Sequence, residues 1–195
     1  AMSVLFTSIF SAISIVWDRE FGFLKEVMVA PVSRIAVALG KVAGGSTIAV
    51  AQGLLVLAFA PVVGVRLSWV QVLSIIGLML LLAVMITGLG ILVAARQRTM
   101  EGFQVVINFL VLPMFFLSGA FFPLNTAPEW LKVLSRFDPM TYGVDAIRQV
   151  TLRQNVPEAA LQALALYPIG IDVAIMVGFS VLFIVPATWL FSKQD

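Results

Sequence analysis

Five long apolar runs, four of them free of any charged residue, constrain this chain more than any other feature of its sequence. A helix needs about 20 apolar residues to cross the hydrocarbon core of a bilayer. Lipid offers no partner for backbone N–H and C=O groups, and the runs are too long and too irregular for barrel strands. They therefore predict an all-α bundle of about five membrane-spanning helices. The runs are residues 1–17, 42–65, 67–95, 102–122 and 167–191, the last of which carries Asp172.

The composition agrees with a membrane protein and excludes several function classes. Of the 195 residues, 61% are hydrophobic and 11% are charged, whereas soluble domains carry about a quarter charged residues. The chain has no Cys and no His, which removes thiol nucleophiles, histidine bases and Cys/His metal sites. A net charge of +2 without a run of Lys and Arg gives no reason to expect nucleic acid as a partner.

No phosphate-binding loop of the GxxxxGK[ST] type occurs in the chain. Val42 follows the Gly40-Lys41 pair, and Ile35 holds the position of the required upstream Gly. The apolar runs also lack a pair of carboxylates, or a Ser with a neighbouring base, at the same depth in the membrane, as an active site would require. We therefore expect neither an enzyme nor a cofactor bound by this chain.

Lys and Arg in short loops predict which side of the membrane is cytoplasmic. Seven of them fall on one side: Arg19, Lys25, Arg34, Lys41, Arg96, Arg98 and Lys193. The other side has Arg66 and a long loop of mixed charge. Residues 18–41 and the C-terminus are therefore predicted to be cytoplasmic, in a protein of the cell membrane.

Residues 18–28 have the pattern of an amphipathic helix. One side carries Phe21, Phe23, Leu24, Val27 and Met28, and the other carries Asp18, Arg19, Lys25 and Glu26, with Glu20 intruding on the apolar arc. Pro31 is expected to end this helix. It would lie in the plane of the membrane surface, either as a plain anchor between two spans or as a docking helix for a cytoplasmic partner.

Residues 118–149 predict two short helices on the outer side. Thr126 and Glu129 have the spacing of a capping box, with Pro128 in the first turn. Asp138 and Pro139 are suited to begin a second helix. The pair could form a lid, a re-entrant hairpin or an ordinary ordered surface loop.

The fourth run contains two residues that are unusual in a membrane span. Pro113 removes a backbone donor and favours a kink. Asn108 is costly against lipid and is expected to face another helix. Helix packing and contact with a transported substrate both explain such a residue.

Two segments in this order of spans resemble a known family. They are DREFGFLKEVMVAPVSRIAVALGK at residues 18–41 and FFLSGAFFPLNTAPEWLKVLSRFDPMTYGVDAIR at residues 115–148. They are similar to ABC-2 type permeases, the membrane subunits of drug-resistance and of polysaccharide or lipid-linked export systems. The resemblance covers residues 1–195 as one transmembrane domain. It implies that the first of the family's usual six spans is missing here.

The resemblance also implies partners and site residues. Residues 18–30 would be the cytoplasmic coupling helix against a nucleotide-binding subunit that holds ATP and Mg²⁺. The implied coupling residues are Arg19, Glu20, Gly22, Leu24, Lys25, Glu26, Pro31 and Arg34. The implied translocation path or extracellular gate consists of Asn108, Pro113, Gly119, Phe121, Phe122, Pro123, Pro139 and Tyr142. A second copy or a paralogue would complete the path, in contact with membrane lipid, for an amphipathic, lipid-like, drug-like or polysaccharide cargo.

Two other functions stay open at this point. An ion-coupled secondary transporter needs buried ionisable residues near the middle of the bilayer, and Asp172 lies near the end of its run. A membrane scaffold or assembly protein would need neither a coupling helix nor an ATPase.

Overall fold

The computed structural model of the chain describes residues 1–21, 33–154, 156–157, 160–161 and 164–192. Its described part contains helices and no strand. The α-helices are α1 (Met2–Ser11), α2 (Ile13–Glu20), α3 (Arg34–Ala58), α4 (Trp69–Ala94), α5 (Met100–Leu117), α6 (Glu129–Ser135), α7 (Pro139–Leu152) and α8 (Ile169–Ser192). Within the described residues, five segments are long and apolar enough to span a membrane, and α1 and α2 together form the first. The all-α membrane bundle predicted from the sequence is confirmed.

Helix α4 forms the centre of this bundle. It packs against α1, α3, α7 and α8, and it is the most buried of the five spans. It has no charged residue between Trp69 and Ala94. A helix that is apolar on all sides is stable where other helices cover it.

The predicted bounds of two spans were wrong. The second span is Arg34–Ala58 rather than 42–65, because the Ser33 hydroxyl accepts a hydrogen bond from Ala36 N at 3.2 Å and caps the helix there. Residues 34–41, predicted as loop, are therefore helical. Long basic side chains can extend from a helix end to water, so a charge does not mark where a span begins. The fourth span ends at Leu117, and Gly119 follows with a φ of +72°.

The described part of the predicted surface helix at residues 18–28 continues the first span. Asp18, Arg19 and Glu20 belong to α2, and Phe21 is its C-cap. Residues 22–32 lie outside the described residues. The predicted coupling residues Gly22, Leu24, Lys25, Glu26 and Pro31 are among them.

The segment between α5 and α8 differs from a plain surface loop. The first half of α7 is buried, including Met140 and Val144, and α7 packs against α4 and α8. Asp138 caps it as predicted. The predicted capping box before α6 is wrong: Pro128 takes the N-cap position without a side-chain cap.

Chain direction and contacts define two ends of the bundle. The basic end comprises residues 18–20, 34–41 and 94–101, which contact one another through side chains. The hairpin end comprises the described residues between 118 and 168, which follow α5 and precede α8. Residues 18–20, the described start of the predicted coupling helix, lie at the basic end, and most of the predicted path residues lie at the hairpin end.

The contact between α1 and α4 gives a test of this packing at Gly90. A Cβ at Gly90 would lie 3.0 Å from Ala12 Cβ and 3.2 Å from the Ile9 carbonyl oxygen. A backbone oxygen cannot move aside, so we expect Gly90→Ala to destabilise the bundle by about 1–3 kcal/mol. Thermal unfolding in detergent measures the effect.

Gly77 provides the matched control in the same helix. No atom lies within 4 Å of a Cβ placed there. Gly77→Ala should be neutral or stabilise by up to about 1 kcal/mol, since Ala favours a helix interior over Gly. Equal melting temperatures for the two variants would contradict the close contact at Gly90.

Candidate coupling and transport sites

The basic end is braced by Arg19, the next-to-last residue of α2. Its Nη1 donates hydrogen bonds to the carbonyl oxygens of Ala95 at 3.3 Å and Gln97 at 2.5 Å. These carbonyls follow the end of α4, where the last turn of a helix lacks backbone partners. A cation at this position also interacts favourably with the helix dipole. Arg19 thus joins the first span to the loop between α4 and α5.

Glu20 makes the complementary contact with the start of α5. Its Oε2 accepts a hydrogen bond from Met100 N at 3.0 Å. The first N–H groups of a helix have no internal acceptor, and an acid there is favoured by the dipole. Arg19 and Glu20 therefore fasten the two sides of one loop.

Asp18 links the same helix to α3. Lys41 Nζ lies 2.7 Å from Asp18 Oδ2 and donates to Ser14 Oγ at 3.1 Å. Both charged side chains are partly buried, which strengthens such a pair relative to an exposed one. Asp18, Arg19 and Glu20 thus connect α2 to α3, α4 and α5. We call these three residues and their contacts the brace.

These contacts lie on both sides, in sequence, of the segment predicted to dock a partner. Residues 22–32 begin directly after α2 and end just before α3, whose first residue is the half-buried Arg34. The contacts of Arg19 and Glu20 are within the chain. Their predicted contact with another subunit stays a prediction.

The hairpin end contains an open apolar cavity of about 460 Å³. It lies between α4, α5, α8, the end of α6 and the start of α7. Two of the predicted path residues, Pro113 and Pro139, line it. Four phenylalanines line it as well: Phe109, Phe137, Phe179 and Phe183. Mostly apolar cavities of this size with few polar groups are typical of small-molecule sites.

Among the described residues that line this cavity, Asp138 is the one ionisable residue. Its side chain is buried and accepts hydrogen bonds from Met140 N at 2.9 Å and Thr141 Oγ1 at 3.2 Å. Within the described chain, no cation forms an ion pair with it. Burial raises the pKa of Asp138 to about 7, although the two hydrogen bonds act in the opposite direction.

Four more predicted path residues form the turn after α5. The Gly119 carbonyl accepts a hydrogen bond from Arg148 Nη2. The Phe121 ring packs edge-on against Phe115, with centroids 4.7 Å apart. The Phe122 side chain next to it is exposed. The Pro123 carbonyl accepts a hydrogen bond from the Thr126 hydroxyl. These residues shape the turn and do not line the cavity with Pro113 and Pro139.

The last two predicted path residues have different surroundings. Tyr142 is buried, donates to the Arg136 carbonyl at 2.8 Å and stacks on Tyr167. Asn108 is exposed on α5, so the described helices of this chain do not cover it, and its predicted contact with another helix stays a prediction. The buried face of α5 runs through Phe103, Ile107, Val111 and Met114, and Asn108 lies beside that face.

Sequence reasoning missed a buried polar cluster between α7 and α8. Gln149 Nε2 donates to Asp145 Oδ2 at 3.0 Å and to Asp172 Oδ2 at 3.1 Å. Both acids are buried, and Asp145 Oδ2 also accepts from Leu166 N at 2.9 Å. The acid in the last apolar run was a visible signal, but its partners lie more than 20 residues away in sequence.

Comparison with known proteins places these features in a family context. A family model described as ABC-2 type transporter matches residues 1–152. A protein of Cyanophora paradoxa named as a transport permease, ycf38, is 33% identical over 143 residues, which is 72% of this chain and 49% of that protein.

Two bacterial relatives are named for drug transport or resistance. One of Escherichia coli (strain K12), named as a multidrug ABC transporter permease, is 25% identical over 74% of this chain and 39% of its own length. One of Mycobacterium tuberculosis (strain ATCC 25618 / H37Rv), named for doxorubicin resistance, is 28% identical over 72% and 51%. The chain spans about half the length of the curated relatives that it matches.

The bridge through Gln149 predicts a stability effect. Gln149→Met removes a donor to two buried carboxyl groups at similar side-chain volume. Asp145 Oδ2 keeps the backbone N–H groups of Leu166 and Tyr167, so the loss falls mainly on Asp172 Oδ2. Leaving a buried acceptor without its donor costs about 1–3 kcal/mol, so we expect a lower melting temperature in detergent. Gln52→Met on the exposed side of α3 is the control and should change little. Equal effects of the two substitutions would contradict the bridge.

The buried Asp138 predicts a pH dependence of stability. Its pKa is about 7 in the fold and about 3.9 in an unfolded chain, so the folded state holds the proton more tightly. The stabilisation that the protonated Asp138 gives to the folded state is fully present below about pH 4 and is lost as the pH rises to about 7. Asp138→Asn keeps a capping oxygen and should reduce the fall of melting temperature across this range.

Glu129→Gln is the control for this titration, since the Glu129 side chain is 85% exposed on α6. It should leave the pH profile as it is in the parent chain. An unaltered profile in Asp138→Asn would contradict the assignment.

Proposed function

The chain belongs to the ABC-2 type transporter family, and from that premise we propose that it is the permease subunit of an ABC exporter. A separate nucleotide-binding subunit would hold ATP and Mg²⁺ and supply the energy. The observation that carries this proposal is the family match over residues 1–152. The missing GxxxxGK[ST] loop supports it, because that loop holds the nucleotide phosphates in many ATPases.

The brace at the basic end supports a route for the force. A partner pushing on residues 22–32 would move the end of α2. The Asp18–Lys41 pair would pass this movement to α3, and Arg19 and Glu20 would pass it to the loop between α4 and α5. Such coupling requires that the partner make different contacts in its ATP-bound and ATP-free states.

The distribution of Lys and Arg supports an orientation of the chain in the cell membrane. The basic end carries Arg19, Arg34, Lys41, Arg96 and Arg98 and would face the cytoplasm. ATP for the nucleotide-binding subunit is available on that side. The hairpin end would face outward and open the path to the exterior.

The exposed side of α5 supports a second copy or a paralogue as partner. Asn108 and Gln104 are four residues apart and exposed, and amide side chains are unfavourable against lipid. A second permease subunit against this side would cover them. The path would then run between the two subunits, next to the cavity with Pro113 and Pro139, and its apolar lining suits an amphipathic cargo.

One observation favours a second candidate function, ion-coupled transport. Asp145 and Asp172 are buried, and buried acids within a membrane bundle are typical of ion pathways. The two candidates differ in their energy source. ATP drives one, and an ion gradient without ATP drives the other.

The test is transport by the reconstituted complex. The chain is co-expressed with an ABC ATPase from the same organism, purified as a complex and placed in liposomes with a fluorescent amphiphile. We expect transport that requires ATP and continues without an ion gradient. Arg19→Met should keep the complex and ATP hydrolysis but lower transport per ATP by about tenfold, the effect of about 1.4 kcal/mol of lost coupling.

Arg98→Met is the matched control for Arg19→Met. It removes the same charge from the loop that Arg19 contacts, and its side chain is exposed. It should transport as the parent chain does. Transport driven by an ion gradient alone would overturn the proposed function, and full coupling in Arg19→Met would overturn the proposed route of force.

A further inference from the structure

The cavity at the hairpin end combines aromatic walls with one acid. Phe109 of α5 and Phe137 after α6 are exposed at its opening, whereas Phe179 and Phe183 of α8 are part of the packed interior. Asp138 is the one charged residue in its lining within the part of the chain that the structure describes. An apolar chamber does not require a carboxyl group in its wall, so the position of Asp138 calls for a physical explanation.

Helix capping explains the hydrogen bonds of Asp138, but it does not explain why this position holds Asp rather than Asn or Ser. Asn, Ser and Asp cap helices about equally well, and the two neutral residues carry no charge to bury. Asp138 is 4% exposed and has no ion-pair partner in the described part of the chain. Buried charges in proteins are ordinarily paired. A cationic ligand would supply the missing positive charge.

The phenylalanines suit the same ligand. A cation over an aromatic face is attracted by the ring quadrupole, more strongly where water is excluded. Phe109 and Phe137 bring two such rings to the opening beside Asp138. The remaining lining is aliphatic, which suits the apolar body of an amphiphile. A lipid tail alone would gain nothing from the carboxylate.

We propose that this cavity binds an amphipathic organic cation, with the positive group against Asp138 and the apolar body among the phenylalanines. The inference rests on the proposed permease function and names the class of its cargo. Asp138 has a second role as the cap of α7. Ligand charge and hairpin position are thereby linked through one side chain.

The titratable groups around Asp138 are few. Lys132 and Arg136 lie on the α6 side, Tyr142 lies on α7 and Asp172 on α8, and none of these lines the cavity. Helix α4 contributes no charged residue, and Glu101 of α5 lies at the opposite end. Binding of a cation should therefore strengthen as the pH rises through about 7, where Asp138 ionises.

Binding of tetraphenylphosphonium to the 195-residue chain in lipid nanodiscs tests the proposal without an ATPase. Equilibrium dialysis gives the affinity, and uncharged triphenylphosphine oxide serves as the neutral probe. We expect Asp138→Asn to weaken binding of the cation by about tenfold or more. Binding of the neutral probe should be unaffected, and Glu129→Gln, which removes an acid of the same hairpin outside the cavity, should change neither.

Several results would overturn the proposal. These are equal cation affinity in the parent chain and Asp138→Asn, equal affinity for the charged and neutral probes, and cation affinity that does not rise with pH. If Asp138→Asn does not fold, Asp138→Ser, which also provides a capping oxygen, takes its place. If cation binding depends on Asp138 but the complex shows no ATP-driven transport, only the permease function is contradicted. If the complex transports with ATP but cation binding is the same with and without the Asp138 carboxyl group, only the cation site is contradicted.

Discussion

A bilayer cannot hydrogen-bond a polypeptide backbone, and the whole structure follows from that constraint. Every segment at membrane depth must satisfy its own N–H and C=O groups, which a helix does. Helix α4 is apolar on all sides and lies at the centre, where α1, α3, α7 and α8 cover it. Charged side chains are therefore concentrated at the two ends of the bundle. The functional proposals concern those two ends.

The two ends use their charges in different ways. At the basic end, Asp18, Arg19 and Glu20 bind helix ends and a lysine of the same chain, so opposite charges brace the helices to which a motor would connect. At the hairpin end, buried acids have amide and hydroxyl donors but no cation within the described residues. In the proposed permease, the basic end would receive force and the hairpin end would recognise positive charge.

The sequence predicted the parts that depend on long patterns and missed those that depend on distant contacts. Apolar runs predicted all five spans, and the Asp138-Pro139 pair predicted the start of α7, because both signals are local. The apolar run that begins at residue 42 predicts the start of α3 eight residues late, because Arg34 and Lys41 interrupt the apolar pattern before it. The spacing of Thr126 and Glu129 misled because a proline between them takes the capping position. Nothing in the local sequence around Asp18 or Gln149 indicates their partners, which lie 23 residues away at Lys41 and Asp172.

The absence of Cys from this chain allows the most direct measurement of the central claim, that residues 22–32 receive force from a cytoplasmic ATPase. A single cysteine introduced by Glu26→Cys is cross-linked in membranes that contain the co-expressed ATPase, with Glu129→Cys at the hairpin end as the reference. The account predicts a cross-link from position 26 whose yield changes with nucleotide, and none from position 129. Labelling of position 26 by a membrane-impermeant thiol reagent from the outside, or no cross-link to the ATPase in any nucleotide state, would contradict it.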